Sequence, residues 1–137
     1  MPSPSRTFIA LAWIVLGLAA CSKSGPVVWP ELSALDSIAE QAEGLTENHD
    51  FNGMRALVPE LQPAAAKLAA SPIPANATNP GATAELQSDL KDLTGRLADA
   101  SKLSDDELQT LFAGIHPIVE QLMAKSGLPH VHEASHK

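Results

Sequence analysis

Apolar residues recur every three to four positions in four separate stretches of the chain, and each stretch predicts one amphipathic helix. The first joins Leu32, Leu35, Ile38 or Ala39, and Ala42, opens at Pro30 and is expected to end near Gly44. The second aligns Met54, Leu57, Val58, Leu61, Ala65 and Leu68, with Asp50 or Asn52 as its N-cap. Pro59 and Pro63 lie inside it; each removes a backbone donor and frees the carbonyl four residues back, which predicts a kink or two short pieces. The third, over 84–100, places Leu86, Leu90, Leu93 and Leu97 along one packing seam. The fourth opens with Ser104-Asp105-Asp106-Glu107, a capping box with acids at the positive end of the helix, and Leu103 is placed to staple against Leu108. Its core face is Leu108, Leu111, Phe112, Ile115, Val119 and Leu122, and Gly127, Leu128 and Pro129 predict a Schellman-type stop.

The segment 71–83 contains Pro72, Pro74, Pro80 and Gly81 and is expected to cross over without regular structure. Four helices joined by short, long and short connections predict an all-α fold, an antiparallel four-helix bundle. Scarce aromatic and plentiful Ala and Leu residues suit close helix packing better than a sheet.

Ahead of the helices stands a different pattern: Arg6, an uninterrupted apolar run over 8–20, and small residues before a single cysteine, Cys21. A 13-residue run covers only about 20 Å as a helix, too little for a hydrocarbon core about 30 Å thick, so it reads as a removable signal. Leu18-Ala19-Ala20-Cys21 resembles the lipobox of bacterial lipoproteins. That resemblance implies a diacylglyceryl group on the Cys21 sulfur, cleavage just before it and a further acyl chain on the new amino end, which together give a stable membrane anchor. Ser22 in place of Asp implies outer-membrane sorting, with the domain facing the periplasm. As the only cysteine, Cys21 excludes an intramolecular disulfide. The chain thus divides into a signal peptide (1–20), a lipidated tether (21–28), a helical domain (29–127) and a His-rich tail (128–137).

The formal charge is −7, and losing 1–20 removes Arg6 and leaves eight basic against sixteen acidic residues. Such a balance excludes nucleic acid as a partner, since that surface needs basic patches. In length and order of elements the predicted domain resembles the cytochrome b562-like periplasmic bundles. That family holds haem iron with an early methionine of helix one and a histidine near the end of helix four. Here helix one has no methionine and His116 lies mid-helix, so no haem site follows.

Candidate chemistry rests on histidines. His130 and His132, two apart, point the same way in an extended segment and offer two imidazoles to Cu(II), Ni(II) or Zn(II), with His136 or Glu133 completing the set. The alternative is a solvated chain end that happens to contain them. His116 and Glu120 share a helix face, a second metal-competent pair, against which stands a boundary histidine satisfied by its surroundings. His49 with Glu47 and Asp50 reads as a solvated turn, and Met54 and Met123 as core filling. No Gly-x-Ser-x-Gly, His-Glu-x-x-His or glycine-rich phosphate loop is present, and a non-catalytic role is expected. Two functions remain: an envelope interaction or structural lipoprotein that docks a protein partner, or a lipid-anchored binder of a divalent transition metal.

Overall fold

The computed structural model describes residues 25–129, and these are all-helical. The elements are α1 (Pro30–Glu47), α2 (Phe51–Ala70), α3 (Pro80–Gly95), a 3-10 segment (Arg96–Lys102), α4 (Asp105–Ala113) and α5 (Ile115–Ser126). Taken together across the single residue Gly114, α4 and α5 occupy the stretch expected as helix four. No helix among the described residues is long and apolar enough to cross a membrane. The signal, Cys21 and the tail residues His130, His132, Glu133 and His136 lie outside the described residues.

The predicted stripes become the core. Leu32, Leu35, Ala39 and Ala42 of α1 are fully buried, with Ile38 half-buried beside them. All six stripe residues of α2 and all six expected for helix four are buried too. Helix α1 runs three residues past Gly44, because closure comes from His49 at φ 53°. This left-handed turn lets the Asp50 amide reach the Leu45 carbonyl at 2.9 Å, while the Asn48 side chain donates to Gly44 at 2.7 Å.

Helix α2 is one continuous element despite its two prolines. Both prolines sit on its exposed face, so the carbonyls they free can turn to water while Leu57, Leu61 and Ala65 hold the buried face in register. Asp50 is its N-cap, accepting from the Gly53 amide at 2.9 Å.

The third helix departs most from its sequence pattern. It begins at Pro80, capped by Asn79, and gives way to 3-10 geometry after Gly95. Leu90 and Leu97 are buried, but Leu86 and Leu93 are only half-buried, and Thr83 and Thr94 join the buried set. Each threonine hydroxyl donates to a carbonyl four residues back, Thr83 to Asn79 at 2.7 Å and Thr94 to Leu90 at 2.8 Å. With the hydroxyl satisfied inside its own helix, the side chain presents a methyl group to the core.

The connection over 71–79 is irregular but closely held. The Trp29 indole donates to Ser71 Oγ at 2.8 Å, and Gln87 donates to the carbonyls of Leu68 and Ser71. The amides of Thr78 and Asn79 donate to the last carbonyls of α5, those of Ser126 and Lys125, at 3.1 and 2.8 Å. Gly127 ends α5 at φ 86°, and its amide and that of Leu128 both donate to Met123, at 2.9 and 3.0 Å. A Cβ at Gly127 would collide with Thr78 Oγ1, so the position needs glycine for space as well as for φ.

The capping box forms as expected. Glu107 Oε2 accepts from the Ser104 amide at 2.9 Å and from its hydroxyl at 2.7 Å, and the Glu107 amide donates back at 3.3 Å. The hydroxyl first, and the amide next, hold the Glu107 carboxyl below its ordinary range.

Leu90→Ala is expected to cost about 2–5 kcal/mol, and Leu93→Ala less, because only Leu90 is fully enclosed. Thermal unfolding of the two variants checks the order; equal losses would contradict the rotated seam. A depressed folded pKa stabilises above the unfolded carboxyl range, about pH 4.3, and that contribution is lost as pH falls through the lower folded value. The melting difference between the parent and Glu107→Ala should therefore be present at neutral pH and shrink on acidification below that range.

Candidate functional site

Three histidine-centred groupings come from the sequence, and two fall within the described residues. His49 is exposed in the α1–α2 turn, its Nδ1 3.2 Å from the Glu47 carbonyl and its ring edge-on to Phe51 at 6.4 Å. Its left-handed backbone closes α1, which gives the residue a structural task. Asp50, its neighbour, is occupied as the cap of α2.

His116 is different: it is 93 % buried on α5, its fellow buried polar residues being Thr83, Thr94 and Ser126. Its Nδ1 lies 3.0 Å from Oε2 of Glu43 on α1. A carboxylate can only accept, so the Nδ1 proton of the imidazole donates to Glu43. Sequence spacing places Glu120 one turn on from His116; the structure also brings Glu43 to it, a residue on another helix that no local pattern could indicate. The pair sits in a cleft of about 190 Å³ lined by Glu43, Thr46, Glu47, Phe112, Ala113 and Pro117. Pro117 and the Gly114 break open this cleft: α4 ends at Ala113, and α5 restarts with Pro117 in its first turn. Glu43 is half-exposed, so solvent reaches one side of the pair and the core the other.

Chemically, the arrangement fixes an imidazole tautomer and joins α1 to α5. Among the described residues, no group of three or more His, Cys, Asp or Glu side chains is placed to hold a metal ion. Met54 and Met123 are buried and fill the core, as their spacing predicts. A second depression, about 510 Å³, runs between α2 and α3 and is lined by Gln62, Ala66, Ala69, Ala70, Lys91, Thr94 and Gly95. Gln62 crosses its floor to donate to the Thr94 carbonyl at 3.2 Å.

No protein family, curated protein or solved structure matches this chain.

The geometry predicts that neutral His116 carries its proton on Nδ1. Nitrogen chemical shifts of the ring should report that tautomer in the parent and a shift toward the Nε2-protonated form in Glu43→Ala. The same spectrum in both proteins would show that Glu43 does not orient the ring.

Proposed function

We propose that this chain is a small lipid-anchored protein of a bacterial envelope that acts without catalysis, as an interaction or structural lipoprotein. The observation that carries the reading is Leu18-Ala19-Ala20-Cys21 at the end of the apolar run, followed within a few residues by a helical domain. Acylation of Cys21 places the domain at a membrane, and the outer membrane's periplasmic side is the favoured location. The helices form an antiparallel four-helix bundle in this reading, with α4 and α5 as one interrupted member. Support comes from the ties between chain-distant helix ends: Trp29 to Ser71, Asn79 to Lys125, and Gln109 to the Thr46 carbonyl at 3.3 Å.

The polar side chains of the domain favour a scaffold role. Ser104, Asp50 and Asn79 cap helices, Thr83 and Thr94 bond within α3, and Gln62, Gln87 and Gln109 tie one element to another. A helix face of such a rigid body docks a protein partner.

The His130-x-His132 spacing favours a second reading, a periplasmic binder of Cu(II), Ni(II) or Zn(II) that uses His130, His132, His136 and Glu133. On this reading His116 and Glu120 are a further, weaker ligand pair.

Cys21→Ser is expected to move the protein from the membrane to the soluble fraction without changing its melting temperature. A variant that stays with the membrane would refute the anchor. Calorimetric titration of the three metals into the protein and into a version ending at Gly127 separates the two functions. Saturable binding lost on truncation would favour metal handling, and no binding by either would leave the docking role.

A further inference from the structure

The charges of this acidic protein are distributed unevenly between the two ends of the domain. Three segments meet at one end: 25–30 leading into α1, 71–84 between α2 and α3, and 126–129 after α5. Their junctions are the Trp29–Ser71 bond, the bond from Asn76 Nδ2 to the Gly25 carbonyl at 3.1 Å, and the amides of Thr78 and Asn79 on the end of α5. None of the sixteen acidic and none of the nine basic residues of the chain lies in these three segments; the nearest among the described residues, Glu31, Glu85, Lys67 and Lys125, stand in the helical turns behind them, two of each sign. The opposite end carries Glu47, Asp50, Asp99, Lys102, Asp105, Asp106 and Glu107, all exposed. Helix α2, which runs between the ends, has 20 residues and so separates them by about 30 Å.

We propose that the uncharged end is the face the domain turns to the lipid bilayer. The inference rests on the lipoprotein reading of Cys21 and adds an orientation to it. Only three residues separate Cys21 from Gly25, whose carbonyl is fixed to Asn76, so over four Cα steps the acylated cysteine can stand at most about 14 Å from this face. The far end, about 30 Å on, cannot reach the bilayer on that leash without the domain lying on its side. Lying down would press acidic helix flanks onto anionic headgroups, which repel them within roughly a Debye length of about 8 Å. Upright, the domain meets the headgroups with peptide groups and uncharged side chains. Val28, 69 % exposed, is the large hydrophobic residue most open to solvent among the described ones, and it lies on this face. One such side chain among Pro, Ala, Asn and Thr suits contact at headgroup depth and not insertion. Pro26, Pro30, Pro72, Pro74, Pro80 and Pro129 stiffen the same surface.

The full chain, processed in bacterial cells, is reconstituted in vesicles of phosphatidylethanolamine and phosphatidylglycerol with a nitroxide-headgroup lipid as quencher. Ala75→Cys at the uncharged end and Ser101→Cys at the other are both exposed positions and each takes a thiol-reactive fluorophore. An acylated Cys21 is a thioether and stays unlabelled. The fluorophore at 75 should lose most of its emission and the one at 101 should keep most of it. Equal quenching at both positions, or stronger quenching at 101, overturns the orientation. Mass spectrometry of the same sample separates the two levels: an unacylated Cys21 sinks the anchor and this inference with it, whereas an acylated chain with equal quenching sinks the orientation alone.

Discussion

The buried indole of Trp29, hydrogen-bonded to Ser71, is the contact on which the rest of the arrangement depends. It sits one residue before α1 and binds the first residue after α2, so it fixes where one helix starts relative to where the other stops. Ser71 in turn donates to the Leu68 carbonyl at 2.8 Å, and Gln87 reaches the same carbonyl from α3. The open C-terminus of α2 is thereby satisfied by side chains from two other parts of the chain. A helix end closed in this way cannot fray without releasing both neighbours. The loop that follows repeats the device on α5, whose final carbonyls accept from Thr78 and Asn79.

Much of this was legible in the sequence, and the exceptions have physical causes. The stripes of α1, α2 and α4–α5 translate into buried residues because a 3.6-residue period with large apolar side chains leaves one face to bury. Asp50 and the Ser104–Glu107 box were readable because capping chemistry is local. The third helix misled because Thr83 and Thr94 hide their hydroxyls on carbonyls one turn back, so residues that look polar serve as core. The prolines of α2 leave it one element and not two short pieces, because both lie on its solvated face. His49 could not be read as the closing residue of α1, since Gly44 is the conventional stop signal and a left-handed histidine is uncommon.

The candidate site was legible only in part. Burial of His116 beside Phe112 and Val119 follows from helical spacing. The approach of Glu43 does not, because that residue arrives from another helix. Around this pair, the hydroxyls of the domain close or bond within their own helices, while Gln62, Gln87 and Gln109 join one element to another.

Having both chain ends leave from one side also has a mechanical meaning. The first buried residue on the N-terminal side is Trp29, and Gly127 closes the last helix on the C-terminal side, with Val27 beside it. A pull between these two exits thus bears first on the bond from Asn76 to the Gly25 carbonyl, next on the Trp29–Ser71 bond and then on α1 one turn at a time, as in opening a zipper. Between these two exits the helices therefore part in sequence, whereas a load carried from the leash to the far end runs along the helices and is shared by all their contacts at once.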